Sequence, residues 1–292
     1  MTSEAFCPGH ITSLFYPPEP GPTPETTGSR GAGTCIALGA RASVRVENAN
    51  VTGIVPVGNT RLNPVVVMAL GEYLQSAPDP VQAYLGLDLE LPVGQGFGMS
   101  GAMTFASLVA LDGELGLVDG NLDALLALAH SAEVAFCTGL GDVVAQAKGG
   151  IDVRVRQGLP PSGEVLVARQ EASVLVAWDS EPLHTRSVLE DPGARERLER
   201  ACLPHLEAMK GRPDLEWLLE AGWAFAQEAG LVSEAVRLMT TICNAHGRSS
   251  QVMLGNSVFA AGDLDAMAEE LGSEGFSYRM TRIENDGVRL LS

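Results

Sequence analysis

Pro92-Val-Gly-Gln-Gly-Phe-Gly-Met-Ser-Gly-Ala102 joins a strand-like run, Ala83–Leu91, to an apolar small-residue segment with helical spacing, Gly101–Leu111. Gly94, Gly96, Gly98 and Gly101 fall close together in this stretch. Glycine reaches backbone angles closed to other residues and lets the chain approach a ligand. The first amides of the following helix have no intrahelical acceptor, and the helix dipole adds positive potential there. Such a loop holds phosphate with few basic side chains. No Lys-Ser or Lys-Thr pair follows the glycines, so this is not a Walker loop. Met99 stands where the third glycine of a dinucleotide fingerprint belongs. The stretch reads as a phosphate loop of another kind, against the plainer alternative of a Gly-rich turn before a helix.

The rest of the chain bounds what that loop could serve. At 292 residues, with 46% hydrophobic residues, it suits one large domain or two fused ones. No apolar run reaches membrane-span length, and the start, Met1–Cys7, lacks the basic region of a secretion signal, so a cytoplasmic protein is expected. The five cysteines are widely spaced without a Cys-x-x-Cys, which suggests neither a zinc site nor a disulfide framework. The net charge of −17, with lysine only at Lys148 and Lys210, argues against nucleic acid and anionic membrane as partners. The same field opposes a nucleotide, so local dipoles, a cation and a few arginines would have to overcome it.

Coarse periodicity organises the chain. Ala5–Phe15 reads as a strand, a turn at Pro8-Gly9 and a return; Thr34–Leu38, Ala42–Glu47 and Gly53–Val57 read as strands. Helical spacing is expected over Pro64–Ser76, over Leu122–Phe136 and after Asp142, stopping at Gly149-Gly150, with a strand at Ile151–Val155. Gly158-Leu-Pro-Pro-Ser-Gly163 is the candidate seam, giving domains 1–162 and 163–292. Beyond it, Ala172–Trp178, Val252–Phe259 and Phe276–Ile283 are strand-like. Helices are expected at Ala194–Met209, Leu215–Ala229, Ser233–Ala245 and Leu264–Leu271, so the second half reads as α+β with an antiparallel sheet.

Three features line up in order: Cys7-Pro-Gly-His10, the loop Pro92–Ala102, and Glu133 followed by Thr138-Gly-Leu-Gly-Asp142 and Gly149-Gly150. This order resembles the GHMP kinase superfamily of small-molecule kinases, which includes galactokinase, homoserine kinase and mevalonate kinase, over essentially the whole chain. Phe6-Cys-Pro-Gly-His-Ile-Thr12, Gly28-Ser-Arg-Gly-Ala-Gly33 and Met253-Leu-Gly-Asn-Ser-Val-Phe259 are similar, more narrowly, to the archaeal pantoate kinases. The resemblance implies an α+β, two-domain GHMP kinase-like fold: an N-terminal α/β domain of the ribosomal protein S5 domain 2 type and a ferredoxin-like C-terminal domain. It implies ATP and Mg²⁺, phosphorylation of the 4-hydroxyl of pantoate on the archaeal route to coenzyme A, and a homodimer. The alternatives are a kinase of another small alcohol, mevalonate- or homoserine-like, and a non-catalytic nucleotide-binding regulator.

The residues fit that chemistry, which is mostly positioning and charge neutralisation. Pro92, Gly94, Gln95, Gly96, Phe97, Gly98, Met99, Ser100, Gly101 and Ala102 form the expected nucleotide loop. Ser100 and Glu133 are the expected Mg²⁺ contacts, and Asp142 the carboxylate that orients the hydroxyl and takes its proton late. Arg30 is the expected reader of the pantoate carboxylate, helped by Ser29 and the amides of Gly31 to Gly33 as a backbone nest. Each has a plainer reading: Ser100 a helix cap, Glu133 a solvated helix residue, Asp142 a turn former, Arg30 a surface arginine. Two departures stand out. His10 replaces the Lys or Arg of many relatives; neutral it would hydrogen-bond pantoate, protonated it would bind its charge, and a buried structural role is the third option. Gly255-Asn-Ser257 also lacks the usual C-terminal glycine cluster, which leaves open how the second half closes on the substrate.

Overall fold

The structure is a computed structural model and describes residues 2–181 and 192–291. Strands β1 (Ser3–Phe15), β2 (Gly31–Asn48), β3 (Gly53–Pro56), β4 (Val81–Leu89), β5 (Ile151–Arg156) and β6 (Glu164–Ala168) build a first sheet. β7 (Ser173–Trp178), β8 (Gly247–Gln251), β9 (Ser257–Gly262) and β10 (Ser277–Arg282) build a second. The chain then returns to the first sheet as β11 (Arg289–Leu290), antiparallel to β1. β2 is the spine: it pairs with β1 along most of its length, with β5 near its start and with β4 near its end.

Pro8-Gly9 is not a turn. β1 runs through it with a register shift opposite Gly39, and Thr34–Leu38 and Ala42–Glu47 are one strand rather than two. The glycine explains how: a Cβ at Gly39 would collide with the backbone of Cys7 and Pro8, so the bulge of a proline-bearing strand is absorbed without breaking the pair. The Gly158–Gly163 segment is the turn of the β5–β6 hairpin, and the chain leaves the first sheet only after Ala168. Val252–Phe259 straddles a turn instead of forming one strand, because Leu254 takes a left-handed backbone (φ 66°) and β9 begins at Ser257. β8, Gly-Arg-Ser-Ser-Gln, is too polar to read as a strand from its sequence.

Helices α1 (Pro64–Leu74), α2 (Met99–Leu115) and α3 (Leu122–Phe136) pack together, with α2 against β1 and β2. α4 (Asp142–Gln146) is a short helix before β5. Helix α5 (Pro192–Gly211) precedes α6 (Leu215–Glu228), which bridges the sheets by packing on both β1 and β8; Phe225 meets Phe15 edge-on at 5.7 Å. α7 (Glu234–His246) and α8 (Leu264–Ser273) cover the far face of the second sheet. Alternation in β7 explains both layers: Val174 and Val176 join the core shared with the first sheet, and Leu175 and Ala177 join the core under α7 and α8. The strand order β10-β7-β9-β8, all antiparallel, is the ferredoxin-like order that the resemblance implies.

Residues 283–290 stitch the second half back onto the first. Glu284 N–H donates to Cys35 O (3.0 Å), Gly150 N–H to Glu284 O (2.7 Å) and Val288 N–H to Gln146 O (2.9 Å). Among the described residues no helix is long and apolar enough to cross a membrane.

Candidate active site

The Gly-rich loop is built to leave backbone amides open. Side chains cap α1 (Asn63), α3 (Asn121), α6 (Asp214), α7 (Ser233) and α8 (Asp263). The N-cap of α2 is Gly98 in the left-handed region (φ 62°), and no side chain caps it. The amides of the first turn therefore face outward without a protein acceptor in the helix. Gly94 and Gly96 also take positive φ, 85° and 80°.

Two loop side chains do something other than face a nucleotide. Gln95 is buried: its Nε2 donates to Asp179 O (2.7 Å), its Oε1 accepts from Asn256 N–H (3.1 Å), and its own carbonyl accepts from Ser257 Oγ (2.6 Å). Phe97 is buried edge-on against Trp178 at 5.7 Å. A Cβ at Gly96 would stand 2.7 Å from Met253 O. The loop is thus fastened to the Gly255-Asn-Ser257 segment through Gln95, so these two side chains hold the loop's shape and leave its backbone for a ligand.

Ser100, in the first turn of α2, donates from Oγ to Glu133 Oε1 (2.8 Å) near the end of α3. Glu133 is fully buried, and its Oε2 has no hydrogen-bond partner. Burial, and then the charge of Asp142, push the Glu133 carboxyl up to about 7. Cys137 ends α3 with a left-handed residue (φ 52°), and a tight turn at Gly139 brings Asp142 back beside Glu133. A Cβ at Gly139 would collide with Glu133 Oε2 and lie 2.8 Å from Asp142 Oδ2. Both carboxylates therefore open onto one gap that only glycine leaves clear. Among the described residues no group of three or more His, Cys, Asp and Glu gathers as a metal cluster. A buried carboxylate oxygen without a partner, beside a hydroxyl, fits a hard cation that brings water and phosphate oxygens of its own.

On the other side of Asp142 lies a chain of buried charges. His10 Nδ1 is 2.8 Å from Asp142 Oδ1, and His10 Nε2 is 2.7 Å from Asp152 Oδ1. Arg154 pairs through Nη1 with Asp152 Oδ2. His10 and Asp152 have no exposed side-chain surface, and Arg154 has almost none. Burial alone would lower the His10 pKa, but the Asp152 and Asp142 carboxylates outweigh it and raise it. Burial works against Asp152 likewise, and Arg154 and His10 together hold it below its ordinary value. Asp152 and Arg154 escape a reading of the sequence made for strand periodicity alone. The available signal was charge at alternate positions of an otherwise apolar strand, Ile151-Asp-Val-Arg-Val155, directly after Gly149-Gly150.

The Gly28–Gly33 segment departs from expectation. Gly31 and Gly33 are not an anion nest: they lie in β2, paired with β1 on one side and β5 on the other. What they supply is space. A Cβ at Gly31 would stand 2.8 Å from Arg154 Nη2, and one at Gly33 would press on the His10 ring. Gly141 does the same from the opposite side, 2.6 Å from Arg154 Nε and 3.1 Å from Ser29 Oγ. Ser29 and Arg154 share a small concavity with Leu140, Gly141, Val144 and Arg156, and Arg154 Nε has no hydrogen-bond partner there. Arg30 is turned elsewhere: its guanidinium stacks on Tyr16 (3.9 Å to the ring centroid) and faces Glu19 (3.3 Å). His130, on α3, holds the loop before Ser29 by sharing Nε2 between Pro24 O and Thr27 O, each at 3.0 Å.

Comparison with known proteins agrees with this layout. The family model described as the GHMP kinases N terminal domain matches residues 65–150, which hold the Gly-rich loop, Glu133 and Asp142. The pantoate kinase of Methanospirillum hungatei is 29% identical over 269 residues, covering 88% of this chain and 86% of that protein. The pantoate kinase of Methanocaldococcus jannaschii is 26% identical over 266 residues, covering 91% of this chain and 95% of that protein. A solved structure described as a phosphotransferase related to the CoA biosynthesis pathway superposes with a TM-score of 0.86 at 25% identity, covering 100% of this chain and 99% of that one. With the loop, both carboxylates and the ferredoxin-like second sheet accounted for, the chain carries a GHMP kinases N terminal domain and has the GHMP kinase fold.

Proposed function

We propose that this protein is a pantoate kinase, transferring the γ-phosphoryl group of ATP to the 4-hydroxyl of pantoate. The observation that carries the reading is the place of Asp142, between the open amides of α2 with the Ser100–Glu133 pair on one side and the Ser29–Arg154 concavity on the other. The likeness to pantoate kinases over most of the chain supplies the acceptor.

In this reading the amides from Gly94 to Gly101 hold the triphosphate. Ser100 and Glu133 would hold Mg²⁺, which when bound neutralises and aligns the phosphate oxygens. Arg154 offers its planar fork to the pantoate carboxylate with Ser29 beside it, and Arg30 lies at the rim. Asp142 orients the 4-hydroxyl through Oδ2. As the oxygen–phosphorus bond forms and the bond to the leaving ADP oxygen breaks, the hydroxyl proton passes to Asp142. The products are 4-phosphopantoate and ADP. A cytoplasmic homodimer completes the reading on the resemblance alone, and sedimentation checks its oligomeric part.

The test is an ADP-release assay with Mg-ATP against pantoate, pantothenate, mevalonate and homoserine. Turnover on pantoate alone is the expected result. Turnover on another of these alcohols in place of pantoate would refute the acceptor while keeping the kinase.

A further inference from the structure

Asp152 touches neither the Gly-rich loop nor the Ser29 concavity, yet it is the only group that joins His10 to Arg154 by short polar contacts on both sides among the described residues. Both ring nitrogens of His10 sit within 2.8 Å of a carboxylate oxygen. With both carboxylates ionised each can only accept, and each ring nitrogen then carries a proton. A neutral ring would aim a lone pair at an acceptor at 2.7 or 2.8 Å, which is repulsive. Arg154 Nη1 also approaches His10 Nε2, at 3.4 Å. That contact is long for a hydrogen bond, and the shorter contact to Asp152 fixes the role of Nε2 as donor. Arg154 in turn keeps Asp152 ionised, because protonating a carboxylate that faces a guanidinium forfeits the pair. Around His10, then, stand Asp142 from α4, Asp152 and Arg154 from β5, and Cys35 from β2, whose thiol burial keeps neutral. The signs alternate from Asp142 to Arg154, the arrangement in which buried charges are tolerated.

We propose that Asp152 is a positioning residue for phosphoryl transfer: it holds His10 as an imidazolium whose Nδ1–H pins Asp142 Oδ1, and with its other oxygen it holds Arg154 toward the acceptor. His10 thereby supplies the fixed positive charge that a Lys or Arg would supply without help. Oδ2 of Asp142 is left for the hydroxyl, and the base and the acceptor-reading arginine share one anchor. The inference rests on the kinase reading for its kinetic part alone.

Two measurements test it. In the substrate-free wild-type protein labelled with ¹⁵N-histidine, with His10→Asn for assignment, the His10 ring should show two protonated nitrogens at neutral and mildly alkaline pH. A single protonated nitrogen would overturn the proposal whatever the acceptor alcohol is. Kinetically, Asp152→Asn should lower kcat about 10- to 100-fold and raise the acceptor KM, with the ATP KM within about twofold. Combining Asp152→Asn with His10→Asn should cost little more in kcat than His10→Asn alone, because both act through Asp142. Additive losses, or unchanged kcat and acceptor KM in Asp152→Asn, would overturn it. Should Asp152→Asn fail to fold, the wild-type ring signals still decide the charge of His10.

Discussion

Among the described residues two histidines, His10 and His130, lie wholly inside the molecule, and each ties together segments distant in sequence. His10 stands between two carboxylates on β5 and α4, whereas His130 stands against two backbone carbonyls of the Pro24–Thr27 loop. Burial is the same for both. It lowers the pKa of His130, where the carbonyl hydrogen bonds only partly resist, and is overcome at His10. The difference teaches that the partner's charge, rather than depth, sets the state of a buried imidazole. On the proposed mechanism one ring is a cation that aims a base; the other is a tie, its pKa lowered, that sets a loop.

The sharpest way to break this contrast is at the group His10 aims. Asp142→Asn should cut kcat about 10²- to 10⁴-fold while leaving nucleotide binding in place, measured by ADP release beside a nucleotide-binding titration. Near-normal turnover would remove the reacting side of the comparison. Next comes the arginine at the far end of the chain. Arg154→Lys should raise the acceptor KM about 10- to 100-fold, from about 1.5–3 kcal/mol of charged hydrogen bonding, with the ATP KM unchanged. Arg30→Ala should do less, because Arg30 is spent on Tyr16 and Glu19; the reverse order would return the carboxylate to Arg30. On the neutral side, His130→Ala should act through the Ser29 loop. The expected result is a rise of about fivefold in acceptor KM with kcat at saturation nearly kept.

Stability against pH sharpens the contrast further, since the two rings have opposite signs. His10, raised in the fold, contributes stability that is complete below its unfolded value near 6.5 and is lost as pH climbs through its higher folded pKa. His130, lowered in the fold, costs nothing above 6.5; stability falls as pH drops from there toward its folded value. Measured as the difference from wild type at each pH, His130→Ala should remove an acid-side loss of stability in urea unfolding and His10→Asn should not. The smallest effect contrasts Gly94 with Gly96. Both have positive φ, but a Cβ at Gly94 meets nothing within 4 Å. Gly94→Ala should cost about 1 kcal/mol of backbone strain. Gly96→Ala should cost more, about 2–3 kcal/mol, by pressing on Met253 and loosening the loop from the second sheet. Melting temperatures of the two variants check the order.

What could be read from the amino-acid order follows the same division. The Gly-rich loop, Ser100, Glu133 and Asp142 lie in or beside local motifs whose spacing carries their chemistry, and the structure brings Ser100, Glu133 and Asp142 together. Helix boundaries such as Leu122–Phe136 were legible because apolar periodicity and an Asn cap coincide. The charge chain was not, because His10, Asp152 and Arg154 meet only through the β1–β2–β5 register, and Asp142 joins them from α4. Gly31 and Gly33 misled for a related reason: their sequence suggests a loop, and the ladder uses them as gaps beside Arg154 and His10. The Pro-Pro turn and the polar strand β8 show the other limit, since turn residues mark hairpins and linkers alike.

The return of residues 283–290 to the first sheet sets an order of assembly. α4, which begins with Asp142, accepts a hydrogen bond from Val288 N–H, and Gly150, which leads into Asp152, donates one to Glu284 O; both partners are made only after the entire second sheet. During synthesis the first half can collapse around α2 and bury its core. The segments that carry Asp142 and Asp152 gain their last supports only when this distant stretch closes a very long loop. A nascent or clipped chain that stops short of residue 283 would present the Gly-rich loop without a properly backed Asp142, and on the proposed mechanism the ability to turn over would arrive last.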